Sequence, residues 1–452
     1  MKKKIAMLAV LSTAAAMSAV TPSFFTADRT SVVMAASAGW VEEADGWRYV
    51  DSDGDYVTDS WKKRDGVMYY LDETGEVATE MIIDDEYYVD ENGKRVENYW
   101  LSVYNEENMD SLDAPEYLWY YFGRDGRSVK SKWAKIEGNW YYFNSDGHML
   151  TGKQEIDGHT YYLGAEGDGV RKSGWVRLEE DSDDPDQTGF WYFFDSNGRM
   201  IENQIDKKID GSYYTFVDGK MQTGWFKLPQ EENTASSSDA AFAPKEGTIH
   251  GYQYYEADGK RASGWYDIEG AEGISAEDET FRFYFRNGKP LAAETGIQVF
   301  TVDSKRFAFN ERGEMQTGMQ VITLEDGSTA NAYFGDDGVM RTGKQTIYNE
   351  ELDEKQVWYF HTDGANKGQG YHGIRDNSIY VNGLRQDAEK DLKTAPVVFE
   401  GTTYLVNSSG AIQKASASSQ SSLKPELGKG FKDVKDANDK IWIVDVNGVV
   451  QQ

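Results

Sequence analysis

An all-β fold, a repeat solenoid of stacked short β-hairpins, is predicted by three features of these 452 residues. Aromatic side chains make up 14% of the chain, with 29 Tyr and 13 Trp beside 45 Gly and only 8 Pro. One short pattern, an aromatic strand followed by a Gly-containing polar turn, recurs along most of the chain. Turn glycines also keep a common interval: Gly54 to Gly75, Gly126 to Gly147 and Gly198 to Gly219 are each 21 residues apart. Aromatics with abundant glycine predict many short strands and tight turns. A fixed period predicts one unit repeated, with variable insertions, and not a single packed globule.

The unit is clearest in Lys132–Gly152, KWAKIEGNWYYFNSDGHMLTG. Echoes include MYYLDETGEV from Met68, WYFFDSNGRM from Trp191, YQYYEADGKRASGW from Tyr252 and YFGDDGVMRTG from Tyr333. Trp133–Ile136 reads as a first strand and Trp140–Phe143 as a second, joined through Glu137-Gly138-Asn139. Asp45-Gly46, Asp65-Gly66, Asp157-Gly158 and Asp210-Gly211 take the same place elsewhere, and such pairs supply the positive φ angles of tight hairpin turns. A second turn, Ser145-Asp146-Gly147, redirects the chain to the next unit. A lone hairpin is marginal in water, so each must bury its aromatic face on its neighbours. Ser102–Leu118, Leu178–Phe190, Lys227–Gly251, Glu269–Thr280 and Tyr348–Val357 read as insertions at hairpin tips, solvated loops on one side of the stack.

The ends are different. Lys2, Lys3 and Lys4 precede an apolar stretch from Ile5 to Val20 and a small-residue site between Ala35 and Gly39, the order of a cleaved secretory signal peptide. Residues 1–38 are therefore expected to be a signal peptide, and the mature chain to be secreted with no membrane insertion. Residues 39–413 are the repeat solenoid. The ASASSQSS run beginning at Ala415 places a flexible linker at 414–428, and 429–452 reads as a terminal, degenerate hairpin.

Composition excludes several function classes. The chain has no cysteine, which removes thiolate metal sites and cysteine nucleophiles. Its formal charge of -30 repels nucleic acid and anionic membranes. None of the histidines His148, His159, His250, His361 and His372 has a partner at metal or triad spacing, and no HExxH or GxSxG motif occurs. No catalytic residue, metal or cofactor is predicted, and the chain does not read as an enzyme. Asp51-Ser52-Asp53-Gly54-Asp55 superficially matches a calcium loop, but Tyr56 stands where glycine is needed and no glutamate closes it. Turn chemistry accounts for it better.

Gly-Trp, a short turn, Trp-Tyr-Tyr-Phe, Asp-Gly-x-Met and Thr-Gly resemble the cell-wall-binding repeats of Gram-positive bacterial surface proteins. Related repeats occur in choline-binding proteins, in glucan-binding regions of secreted glucosyltransferases and in clostridial toxins. Trp40, Trp61, Trp100, Trp133, Trp175, Trp225 and Trp265 take the first-strand position. Trp47, Trp119, Trp140, Trp191 and Trp358 start the second strand. The resemblance implies ligands held between successive hairpins, in cages made by both tryptophans of one hairpin and an aromatic of the next. Trp40 and Trp47 with Tyr69, Trp133 and Trp140 with Tyr161, and Trp175 and Trp191 with Tyr213 are the cages it implies. The Trp100–Trp119 pair carries a long insertion and fits less well. The implied function is non-covalent binding, at the cell surface, to a cell-wall polysaccharide or teichoic acid, through choline or a glucan. The alternative is an adhesin or scaffold that binds a protein partner through its insertion loops. Beyond Gly296 only Trp358 and Trp442 remain, so the N-terminal half is expected to be the better equipped to bind.

Overall fold

The computed structural model describes residues 37–44, 46–106, 114–179, 189–229, 247–276 and 278–451. The apolar leader, Asp45 and the centres of the tip insertions at 107–113, 180–188 and 230–246 lie outside the described residues.

The local chemistry of the repeat dictates each hairpin. Lys132–Ile136 pairs antiparallel with Asn139–Phe143, with Trp133 opposite Tyr142 and Trp140 opposite Lys135. The turn residues Glu137 and Gly138 have φ of 50° and 93°. Asp65-Gly66, Asp157-Gly158 and Asp210-Gly211 likewise place both residues at positive φ, the geometry that matches the right-handed strand twist. The second turn is built by a side chain. Asp51, Asp72, Asp90, Asn144 and Asp195 each accept two backbone N–H groups, from two and four residues further on, at a single Oδ1. The aspartate of the calcium-like motif is thus engaged in turn formation: its Oδ1 accepts from Asp53 and Asp55 at 2.8 and 3.0 Å.

By its contacts the chain forms two compact units, Met1–Asn203 with Val217–Lys220, and Gln204–Phe216 with Met221–Gln452. In the first, the chain leaving each hairpin bonds back to the hairpin before. The N–H groups of Arg95, Met149, Arg171 and Met200 donate to the carbonyls of Met68, Trp119, Trp140 and Thr160 at 2.8–2.9 Å. Below this rung lies a column of fully buried side chains, Leu71, Val89, Phe122, Phe143 and Phe194, each one residue before a second turn. Among the described residues of this unit no single buried cluster runs from end to end. The buried residues fall into clusters, each spanning neighbouring hairpins, so cohesion is nearest-neighbour, as a solenoid requires.

The second unit repeats the plan. Arg261, Met340 and Ile412 donate from N–H to the carbonyls of Tyr213, Arg306 and Asn377, over buried Phe285, Phe309, Phe334, Phe360, Val406 and Val444. Several sheets here gain a short third strand, and one is larger still. Gly343–Asn349, Glu354–Phe360, Leu384–Arg385, Ser378–Val381 and Gly373–Arg375 join, in that order, into a five-stranded sheet. Residues 414–428, which their serine content predicts to be a flexible linker, make local side-chain hydrogen bonds. Ser416 and Ser419 bond each other, and the Ser421 and Ser422 hydroxyls bond Asp433. Ser421 is 1% exposed. Serine hydroxyls here close local turns in place of solvating a tether.

A buried carboxylate makes this unit sensitive to acid. Glu314 is 2% exposed. Burial favours its neutral form, but Arg312 at 2.9 and 2.8 Å and the Asn310 amide at 2.6 Å outweigh it, holding the acid below its ordinary value. A carboxylate depressed in the folded state stabilises above the unfolded-state pKa of about 4, and that contribution is lost as pH falls through the folded value. Glu314→Gln is therefore expected to lower stability at pH 7 by about 1–3 kcal/mol. It should also flatten the loss of melting temperature below about pH 4. An acid limb as steep in the variant as in the parent would assign the sensitivity to other groups.

Candidate functional site

Strand register decides which tryptophans share a face. In the 39–50 hairpin Trp40 lies opposite Tyr49 and Trp47 opposite Glu42, so both indoles project from the same side. Trp133 with Trp140, and Trp175 with Trp191, are related in the same way. The two positions nevertheless have different surroundings.

The first-strand tryptophan is held between two rings. Trp133 meets Tyr142 across its own hairpin at 5.2 Å and Tyr161 of the next hairpin at 4.9 Å, both edge to face. Trp61 makes the same pair of contacts with Tyr70 and Tyr87, Trp100 with Tyr121 and Tyr141, Trp225 with Tyr254 and Phe283, and Trp265 with Tyr284 and Phe307, all at 4.7–5.3 Å. These rings glue neighbouring hairpins together, each pair contributing about 0.5–1.5 kcal/mol beyond its area burial. The second-strand tryptophan stands nearer the tip and the solvent, with Trp140 37% and Trp191 43% exposed.

A cleft forms where the two positions meet the next unit. At the first junction Trp40, Trp47 and Tyr69 line one cavity of about 250 Å³ together with Arg64, Glu76 and Glu91. Trp40 and Tyr69 are 5.7 Å apart, and Trp40 Nε1 donates to the Lys63 carbonyl at 3.2 Å. The Arg64 guanidinium carbon lies 3.3 Å from the centre of the Trp47 ring. Glu76 Oε1 accepts from Arg48 at 2.6 Å, which fixes the carboxylate on the cavity wall. Aromatic faces beside carboxylates and a guanidinium suit a polyol. Ring C–H groups can lie on the aromatics while hydroxyls bond the charged groups.

At the second expected cage the structure gathers Trp133, Trp140 and Tyr161, but Tyr161 is only 6% exposed and serves chiefly as glue. The Arg171 guanidinium lies 5.6 Å from both indole rings. At the third, Trp175 packs on Phe193 at 5.0 Å in the first unit. Tyr213 belongs to the second unit, where the Arg261 guanidinium covers its ring at 4.2 Å. The pair that the sequence ranked lower is well assembled. Trp100 and Trp119 are 6.3 Å apart, Tyr141 is 5.0 Å from Trp100, and Met149 is buried with them.

Sequence reasoning missed the residue that caps each junction. Met149, Arg171 and Arg261 stand four residues before the next first-strand position, at Lys153, Trp175 and Trp265, and Val77 stands five before it, at Ile82. Val77 lines the first cavity, Met149 packs under the Trp100 group, and Arg171 and Arg261 present cations to rings. The Met of the Asp-Gly-x-Met pattern was the signal, and its replacement by arginine was the clue.

Residues 129–175 match the choline-binding repeat, and residues 191–200 match a cell wall binding repeat. The chain is 25% identical over 442 residues to glucosyltransferase-I of Streptococcus downei, covering 82% of this chain and 26% of that protein. It is 28% identical over 194 residues to glucosyltransferase-S of Streptococcus mutans serotype c, covering 39% of this chain and 11% of that one. The chain thus matches about a quarter or less of the length of these relatives. Among solved structures it is similar to the modular autolysin LytC from Streptococcus pneumoniae in complex with a synthetic peptidoglycan ligand. Identity there is 20%, with a TM-score of 0.37, 62% of this chain and 52% of that chain being covered.

Proposed function

We propose that this chain, which carries cell-wall-binding repeats of the choline-binding type, holds a cell-wall or extracellular polysaccharide non-covalently in clefts between successive hairpins. The carrying observation is the first junction. There Trp40, Trp47 and Tyr69 share a cavity of about 250 Å³ with Glu76, Glu91 and Arg64. A sugar ring uses every part of that wall. An organic cation does not, because Arg64 already lies against Trp47. The reading is therefore of a glucan-like ligand at this junction, in a binding module with no catalytic centre of its own. Several weak junctions in series would act through effective concentration, so no single cleft has to bind tightly. Such binding would hold the chain at the cell surface.

Choline on teichoic acid is the second reading, and the Trp100, Trp119 and Tyr141 group favours it. Among the described residues no guanidinium or ammonium group covers those rings, and an uncovered aromatic cage attracts a cation by about 0.5–2 kcal/mol per ring.

Co-sedimentation of the full chain with insoluble α-glucan and with purified cell walls tests the proposal. Retention should be reversed by soluble glucan oligosaccharides. Trp47→Ala combined with Glu76→Gln should weaken it at least about tenfold, the loss of one stacking contact and one charged hydrogen bond. Release by choline chloride alone, with no retention on glucan, would transfer the function to the Trp100 group. Binding unchanged in the double variant would remove the first junction from it.

A further inference from the structure

At the junction between the 132–143 and 153–162 hairpins, the gap beside the tryptophans already contains a cation, and it belongs to this chain. The Arg171 guanidinium carbon is 5.6 Å from the Trp133 ring centre and 5.6 Å from that of Trp140. Two contacts aim it there. Its backbone N–H donates to the Trp140 carbonyl at 2.8 Å. Its stem lies on the turn glycine Gly198, where a Cβ would come within 2.6 Å of Arg171 Cδ and 2.7 Å of Cγ. Among the described residues no carboxylate lies within ion-pair distance of this guanidinium, which leaves the indole π-electrons as its local electrostatic partner.

The arrangement occurs a second time, in the other unit. Arg261 donates from its N–H to the Tyr213 carbonyl at 2.9 Å, lays its stem against Gly288 and sets its guanidinium 4.2 Å from the Tyr213 ring. There Asp206 also pairs with it at 2.7 Å. The same position holds neutral Val77 and Met149 at the junctions described above. One residue per repeat thus decides whether the capping position itself carries a cation.

We propose that Arg171 is a specificity-determining internal cation, which occupies the Trp133–Trp140 gap and excludes free organic cations such as quaternary ammonium groups from this junction. The inference rests on the reading of hairpin junctions as ligand sites. A second positive charge about 5 Å away in a partly exposed gap is repelled, weakening binding on the order of 10- to 100-fold. The guanidinium also takes up the aromatic surface that such a ligand needs.

Isothermal titration of the full chain with choline chloride, against matched sodium chloride, tests this. Arg171→Met replaces the cation with the side chain that Met149 and Met200 already supply at equivalent positions, each packed on its own turn glycine. The variant should bind about one more equivalent of choline than the parent chain, with a Kd on the order of 1 mM. Adding Trp140→Ala should remove that gain. Arg171→Gln is the alternative if the methionine variant melts at a lower temperature. Equal stoichiometry in parent and variant, or a gain that survives Trp140→Ala, overturns the proposal. Glucan retention is scored separately. A chain that gains a choline site yet never sediments with glucan sinks the polysaccharide reading and leaves this one standing.

Discussion

Trp133→Ala is expected to destabilise the first unit by about 3–5 kcal/mol, whereas Trp140→Ala should cost about 1 kcal/mol or less. The residue type and hairpin are the same, and the difference comes from surroundings. Trp133 packs into the Ile156, Tyr161 and Leu163 cluster and meets Tyr142 and Tyr161 at close range, so truncation leaves a void that two hairpins share. Trp140 is 37% exposed at the strand start, and its loss removes mainly the indole face beside Arg171. Cohesion is nearest-neighbour, so protection against amide exchange should drop first in the 132–143 and 153–162 hairpins. Equal costs for the two substitutions, read by urea unfolding, would refute this division between glue and contact surface.

That division changes what the tryptophan pattern means. First-strand indoles recur because each interface that carries one uses the same close ring wedge, and phenylalanine supplies the opposing ring where tyrosine is absent, as at Phe283 and Phe307. Second-strand positions are free of that duty and vary accordingly. The same place holds Met68, Thr160 or Tyr213, whose carbonyls accept the next rung whatever side chain they carry. Ligand selectivity can therefore drift from junction to junction without loss of the fold.

Most of the architecture was legible because it is local. Asp65-Gly66 and Asp157-Gly158 announce positive-φ turns by residue type alone, and one Asp or Asn oxygen closes each second turn within five residues. What escaped is what depends on the next unit. The capping residue reaches its partner over an interval of 31 residues from Trp140 to Arg171, and no spacing rule within one unit marks it. The five-stranded sheet around Trp358 depends on Gly383, where a Cβ would come within 3.0 Å of Gly370 Cα and 3.1 Å of the Trp358 ring. A close approach of that kind cannot be inferred from turn signals.

The turn glycine is where local and inter-unit demands coincide, and Gly169→Ala should show both. Gly169 has φ of 66°, which disfavours any L side chain by about 1–2 kcal/mol. A Cβ there would also lie 2.2 Å from Met149 Sδ and 2.5 Å from its Cε, in the repeat before. Overpacking of this kind costs about 1–3 kcal/mol, so the total should be about 2–5 kcal/mol. A double-mutant cycle separates the parts. Met149 is 9% exposed, and Met149→Ala alone should cost about 2–5 kcal/mol through the cavity it leaves. In the pair, the alanine methyl enters that space, so the combined loss should fall short of the sum by at least about 1 kcal/mol. At Gly368, in the second unit, a Cβ would lie 2.1 Å from Met340 Sδ, and this pair should couple in the same way. Strict additivity at both sites would mean that φ strain alone requires glycine, and that the period is a property of single turns. Coupling at both would mean that the repeat length is fixed by a contact between successive repeats, the same kind of contact through which Arg171 reaches its tryptophans.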